Sequence, residues 1–324
     1  MVLDCYDEGM QLNFAKYHGA GNDFVIFDDR GMRFPVEDQK FIEHLCEHRL
    51  GVGADGVVLL QPSEKADFRM RIFNADGNEA AQCGNGLRCL VDFIRQMGHP
   101  IPTLAQNLAS DKASASDLQQ AQTLRKQAMF LNMADARSCE GVDAGAVQSQ
   151  ILSQCRNTSD LTIETQERIV QCSWEGDQIT VDLGAYIWAH DNFPIDSFSL
   201  QLVHTGVPHA VAFVEDLALP NFQSVASKLR FHEVFAPQGA NVNFAQMRGD
   251  KIYTRTYERG VEEETLACGT GAAAVAVAAM KKYQLKNPIC IVPASREELF
   301  VEVTSKTVKL RGRATFVFHG SISY

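Results

Sequence analysis

Two short strings have the residue types to move a proton: Ala81-Gln82-Cys83-Gly84-Asn85-Gly86 and Ala267-Cys268-Gly269-Thr270-Gly271. Each places a cysteine before Gly-polar-Gly and an apolar helical run. Two thiols facing one carbon atom could take a proton from one face and return another to the opposite face. Removing the α-hydrogen of an amino acid leaves an unstable carbanion, whose charge must be spread onto the carboxylate. Backbone N–H groups at a helix start, helped by the helix dipole, can hold that charge. Glycine lets the backbone come close to a ligand. Gly84-Asn85 and Gly269-Thr270 sit where such a helix should begin. The same position is expected to lower the pKa of the cysteine ahead of it, favouring the thiolate. One cysteine would act as base and the other as acid, with roles exchanged in reverse. A lone cysteine before a helix is more often an inert buried side chain; repetition of the motif reverses that reading. Glu262-Glu263-Glu264, just ahead of Cys268, would raise its pKa unless these carboxylates point away.

The elements that must carry these turns are legible in outline. Residues 12–18 and 23–28 alternate as strands around a Gly-Ala-Gly-Asn turn. Residues 37–49 have helical spacing, and Gly51 to Gly56 forms a loop before the strand Val57 to Leu60. Arg69 to Phe73 reads as a strand running into the turn Asn74 to Asn78. The first cysteine motif and a helix to about Met97 follow. Residues 99–158 are rich in Ala, Gln, Ser and Asp and read as an inserted, partly helical, mobile excursion. Strands return at 161–165 and 178–183, expected to flank the Gly176-Asp177 turn. A strand, loop and strand span 202–213, a helix spans 221–235, and strands span 241–245 and 251–257. The second cysteine motif and its helix precede a tail of strands at 290–293, 299–304, 307–311 and 314–318. Each half therefore reads as strands, a turn, Cys-Gly-x-Gly and one long helix. That is a weak internal repeat of α+β type, implying two similar domains around a cleft.

Bulk properties narrow the function. The chain has 324 residues, is 45% hydrophobic and carries a net charge of −10. That length suits one large or two ordinary domains. No basic stripe offers itself to nucleic acid. Nine scattered cysteines, with no CxxC and no Cys/His zinc spacing, fit neither a disulfide framework nor a metal site. The start of the chain lacks a signal peptide's basic and apolar regions, and the run Leu266 to Met280 is too short to cross a bilayer. A cytoplasmic protein with no membrane or nucleic-acid partner, no metal and no cofactor is expected.

Several strings are similar to one family. They are Lys16-Tyr17-His18-Gly19-Ala20-Gly21-Asn22-Asp23-Phe24, Gly51-Val52-Gly53-Ala54-Asp55-Gly56, Phe73-Asn74-Ala75-Asp76-Gly77-Asn78-Glu79 and Cys83-Gly84-Asn85-Gly86 in the first half. In the second half they are Gly206-Val207-Pro208-His209, Asn241-Val242-Asn243-Phe244, Tyr257-Glu258-Arg259-Gly260 and Ala267-Cys268-Gly269-Thr270-Gly271. Over 12–97 and 159–321 the chain resembles the diaminopimelate epimerases, of the pyridoxal-independent amino acid racemase superfamily. The resemblance implies two pseudo-symmetric domains, each a barrel-like mixed or antiparallel sheet around a central helix. These would be 12–158, with the excursion at 99–158, and 159–313, with a C-terminal strand near 314–324 returning to the first. It implies that Cys83 and Cys268 are the base/acid pair and that Gly84, Asn85, Gly269 and Thr270 hold the reacting α-carboxylate. Asn22, Asn74, Asn241, Glu258 and Arg259 would bind the rest of the substrate, with Arg259 on the distal carboxylate. His209 would lie beside the site in a structural role. The implied partner is a small amino acid, LL-diaminopimelate; a homodimer is left open, because the sequence does not give the oligomeric state.

The chain departs from the family's pattern at four places. Val207 stands where the family commonly has Asn, and Gly56 where it has Gln. One extra residue separates Glu-Arg-Gly from Cys268, and Gln166-Glu167-Arg168 replaces an Ala-Gly turn. Val207 removes an amide expected near the distal amino-acid centre, which relaxes discrimination. A racemase with another or broader specificity, including glutamate, is therefore the second reading. A non-catalytic binder is the third. The Gly-rich loops lack the Lys-Ser/Thr pair and the full dinucleotide pattern needed to bind a nucleotide.

Overall fold

The computed structural model describes residues 10–97 and 160–324. The expected tail at the start and the excursion at 99–158 lie almost wholly outside the described residues. Strands dominate. The first repeat contains β1 (Gln11–Gly19), β2 (Asn22–Asp28), α1 (Gln39–Cys46), β3 (Gly56–Gln61), β4 (Phe68–Asn74), the two-residue β5 (Glu79–Ala80) and α2 (Gly84–Gln96). It ends with β6 (Asp160–Glu164), β7 (Ile169–Glu175) and β8 (Gln178–Ala185). After β9 (Ile187–Ile195) the second repeat contains β10 (Phe198–His204), β11 (Pro208–Phe213), α3 (Phe222–Arg230), β12 (Asn241–Arg248), β13 (Lys251–Tyr257), β14 (Glu264–Thr265) and α4 (Gly269–Tyr283). It ends with β15 (Ile289–Val292), β16 (Leu299–Val303) and β17 (Thr307–Gly312), and β18 (Thr315–Ser323) closes the chain.

The pairing scheme of the first repeat recurs in the second. β1–β2 is antiparallel, β2–β3 parallel, β3–β4 antiparallel and β4–β6 parallel, continuing through β7 to β8. β10–β11, β11–β12, β12–β13, β13–β15, β15–β16 and β16–β17 repeat the same senses. The parallel β2–β3 and β11–β12 pairs need a crossover, and α1 and α3 supply it. The repeats join where β8 pairs with β17. The linking strands are exchanged: β9, which leaves the first repeat, pairs with β10, and β18, which leaves the second, pairs with β1.

Each repeat wraps its strands around one helix. α2 packs against β1, β2, β3, β4, β8 and β18, and α4 against β10, β11, β12, β15, β16 and β17. α4 is buried from Gly271 to Ala279 and reads Ala-Ala-Ala-Val-Ala-Val-Ala-Ala. A helix apolar on every face belongs inside a core, and small side chains let strands close on it. The inner core includes residues of both helices, while α1 and α3 cover separate outer clusters over the parallel pairs. No helix among the described residues is long and apolar enough to cross a membrane.

Three sequence expectations change. The strand that meets the Gly176-Asp177 turn from the N-terminal side is β7, not 161–165. β9 was not anticipated; most of its residues are exposed, so burial leaves no alternating signal, and pairing with β10 makes it a strand. The helix expected over 221–235 stops at Arg230 and resumes only as a short 3-10 turn, Glu233–Phe235.

Candidate active site

Cys83 is the N-cap of α2 and Cys268 the N-cap of α4, each in extended backbone conformation. The N–H of Gly86 donates to Cys83 Sγ at 3.4 Å. Cys268 Sγ lies 3.5 Å from Thr270 Oγ1, and Thr205 Oγ1 anchors that turn by donating to the Thr270 carbonyl at 2.9 Å. The two helix starts meet. Asn85 Nδ2 donates to the Ala267 carbonyl at 3.2 Å, next to Cys268. One methyl, Leu310 Cδ2, lies 3.6 Å from a Cβ built at Gly84 and 3.0 Å from one built at Gly269. A side chain at either glycine would crowd this junction.

The remaining candidates fall into four groups. Asn22 is drawn in: its Oδ1 accepts from Asn85 Nδ2 at 3.1 Å and lies 3.8 Å from Cys83 Sγ, while its Nδ2 donates to Asp55 Oδ2 at 2.7 Å. Glu258 stands beside Cys268, its Oε2 accepting from Thr265 Oγ1 at 2.8 Å. Asn241 and Arg259 are joined, but through backbone: Asn241 Oδ1 accepts from the Arg259 N–H at 2.8 Å, and Asn241 Nδ2 donates to the Pro208 carbonyl at 3.3 Å. Asn74 stands apart, exposed at the end of β4. Strand registers make it the repeat mate of Glu258, since Val57 pairs with Phe73 as Val242 pairs with Tyr257.

The three glutamates ahead of Cys268 point away from it. Glu264 forms a two-pronged pair with Arg255, at 2.7 and 2.6 Å, and Glu262 accepts from Arg230 at 2.8 Å. Glu263 is exposed. Glu262 sits at φ 61° in the turn that absorbs the extra residue. The carboxylate that acts on Cys268 is Glu258, a residue the sequence did not connect with its pKa.

The expected lowering of the thiols is overturned. Burial raises Cys83, and amide donors at Gly86 and Asn85 together with Arg88 only partly offset it. Cys268 is raised well above the usual thiol value by burial and then by Glu258, against Thr270 and the Gly271 amide. The helix-start donors act in the expected direction, but desolvation of a thiolate outweighs them. Burial also raises the Glu258 carboxyl. Both thiols are thus protonated more readily than free cysteine, and an incoming ammonium group would favour the thiolate.

Sequence reading missed three residues here. Asp55 anchors Asn22. Among the described residues, Gln82 has a buried Oε1 without a partner, and its Nε2 lies 3.9 Å from a Cβ built at Gly206 of the second repeat. Arg88 is wholly buried and donates to Asn85 Oδ1 at 2.9 Å. Only Arg88 left a sequence signal, a charge inside an apolar helical run.

The structure is a duplicated sheet around two buried helices, each capped by a cysteine at one junction. Solved structures share it. A hydroxyproline epimerase from Agrobacterium vitis matches with TM-score 0.60 at 12% identity, over 98% of this chain and 93% of its own. A phenazine biosynthesis protein of the PhzF family from Bacillus anthracis matches with TM-score 0.65 at 15% identity, over 97% and 100%. At such identities the likeness is one of fold. Sequence relatives are more specific. The chain is 34% identical to a diaminopimelate epimerase of Archaeoglobus fulgidus over 313 residues, 96% of both chains. It is 32% identical to one from Aquifex aeolicus over 326 residues, 96% of this chain and 98% of the relative. The diaminopimelate epimerase family profile matches residues 14–113 and 201–317. The chain belongs to the diaminopimelate epimerase family, a family of isomerases.

Proposed function

We propose that this protein interconverts LL- and meso-diaminopimelate without pyridoxal phosphate or a metal, in lysine and peptidoglycan biosynthesis. The observation that carries the mechanism is the junction of the two Cys-Gly-x-Gly turns, tied by the Asn85–Ala267 hydrogen bond and packed on Leu310. The amides of Gly84, Asn85, Gly269 and Thr270 receive the α-carboxylate and the charge that develops on it. One cysteine, as thiolate, takes the α-proton. The other, as thiol, delivers a proton to the opposite face, and the charges on the two sulfurs are exchanged. Asn22, Asn74, Asn241, Glu258 and Arg259 hold the rest of the substrate, and a guanidinium suits the distal carboxylate. The expected boundary at 158/159 moves: the first domain runs from 12 through β8, because β6 pairs with β4 and α2 packs on β8, the second ends near 313, and the strand near 314–324 returns to the first. The protein works in the cytoplasm. A second copy of the chain docks along β18, whose described partner is β1 alone and which exposes Phe316, Val317 and Phe318.

Val207 favours broader specificity as the second reading. Its register position makes it the repeat mate of Asn22, and Gly206 beside it has φ 90°. An apolar residue there offers no partner to a distal ammonium, so substrates lacking one, such as glutamate, lose less. Solvent deuterium exchange at the α-carbon tests both readings in parallel reactions. Fast exchange of LL-diaminopimelate with slow, measurable exchange of L-glutamate is expected. No exchange with glutamate would eliminate the broader reading, and none with diaminopimelate would eliminate the first.

A further inference from the structure

We propose that Arg88 is the buried countercharge of the Cys83 half of the site: its fork fixes the Asn85 amide, and its charge makes the thiolate form at Cys83 rather than at Cys268. The inference rests on the two-cysteine reading.

Arg88 is 0% exposed, one turn into α2. Its hydrogen bonds go to neutral oxygens: the Gly84 carbonyl at 3.4 Å, Asn85 Oδ1 at 2.9 Å and the Arg313 carbonyl at 3.5 Å. Among the described residues it has no carboxylate partner. An unpaired buried guanidinium is expensive, and groups of this kind concentrate where their charge is used. The packing leaves it little freedom. Arg88 Nη2 lies 3.2 Å from a Cβ built at Gly19, and Arg88 Nε lies 3.4 Å from one built at Gly312. Because the fork donates to Asn85 Oδ1, Asn85 Nδ2 must face Asn22 and Ala267, the geometry seen.

The internal repeat turns this into an argument about charge. Arg88 follows Cys83 by five residues, and the fifth residue after Cys268 is Ala273. At the strand end before each cysteine the inequality is reversed: Asn74 is neutral and its mate Glu258 is a carboxylate. At these matched positions the scaffold carries a cation on the Cys83 side and an anion on the Cys268 side; Asp55, bonded to Asn22 on the Cys83 side, has its carboxyl raised by burial. Other groups leave that difference in place. Cys89, against Arg88, is held protonated by burial, and Asp92 pairs with Arg95 at 2.5 Å. Glu297, the carboxylate that acts on Arg88 from a distance, lies 3.7 Å from His18. Glu258 raises both thiols, second only to burial at Cys268; at Cys83 it follows burial and the Gly86 amide, and Arg88 lowers that thiol by less than Glu258 raises it, whereas no cation is among the groups that lower Cys268. The resting enzyme is then set for the substrate that presents its α-hydrogen to Cys83. The proton passes from carbon to Cys83, Cys268 releases its own to the opposite face, and the thiolate finishes on Cys268.

The test is the pH dependence of iodoacetamide alkylation of the free enzyme, followed separately for the peptides containing Cys83 and Cys268. In the unaltered protein Cys83 should react at lower pH than Cys268. In Arg88→Met the Cys83 midpoint should rise while Cys268 holds its profile. Arg88→Lys should recover part of the shift, since it restores charge but not the fork. Earlier reaction of Cys268 in the unaltered protein, or an unmoved Cys83 midpoint in folded Arg88→Met, would overturn the proposal. If Arg88→Met does not fold, the order of reaction in the unaltered protein decides alone. Full activity of Cys83→Ala would instead remove the two-cysteine reading itself.

Discussion

His209 shows what a single buried side chain contributes. It is 1% exposed, its Nε2 has no partner among the described residues, and Asn243 Nδ2 lies 3.1 Å from its Nδ1. Thr256 Oγ1 in turn donates to Asn243 Oδ1 at 3.0 Å. In the first repeat the matching positions are Phe24, Val58 and Ile72, so a polar chain replaces an apolar one beneath α4. Burial pushes the imidazole down from 6.5 to about 3. Between those values the unfolded chain binds a proton that the folded chain refuses, so stability falls as pH drops through that window. Denaturant titrations should show a loss approaching about 1.4 kcal/mol per pH unit from this group. His209→Gln should lack that component; equal slopes for the two proteins would contradict it. At this scale the cysteines were legible because their motif is local. The raised thiols and the role of Glu258 were not, because burial and proximity arise only when distant strands assemble.

At the scale of elements, the two buried helices differ at one glycine each. A methyl built at Gly271 falls 2.5 Å from Asn243 Oδ1, inside the polar chain, whereas one built at Gly86 meets Ile72 Cδ1 at 3.1 Å. The end of an isoleucine can swing aside, but Asn243 is held by His209, the Ala210 carbonyl and Thr256. Gly271→Ala should therefore cost about 1–3 kcal/mol in denaturant unfolding, and Gly86→Ala less. The reverse order would show that the chain yields more easily than the aliphatic packing. A second device is shared. Arg71 grips Glu79 at 2.8 and 2.8 Å as Arg255 grips Glu264, and each glutamate stands four residues before its cysteine. α4 was legible from its alanine run. β7 was not: its inward residues Val170 and Cys172 alternate, but Gln166-Glu167-Arg168 ahead of it gave no familiar turn.

For the whole molecule, the exchanged strands matter most. β9 and β18 each leave one repeat to complete the other, and β8 and β17 join the two sheets. Neither repeat can lose its order without unpairing a strand of its neighbour. Calorimetry should show one cooperative transition, and two resolved transitions would mean that the halves stand independently. The duplicated cysteine motif made the repeat legible, and the family resemblance implied the return of β18. The matching passage of β9 was hidden because a mostly exposed strand carries no inward pattern.

The central claim, one stereocentre between two sulfurs, is tested by running the LL substrate in D2O and following label in both pools from the first turnovers. Two monoprotic thiols on opposite faces require solvent deuterium in the inverted product while unreacted substrate keeps its hydrogen. Early product carrying the substrate's own hydrogen, or label entering substrate as fast as product, would mean that one base serves both faces and would contradict the account.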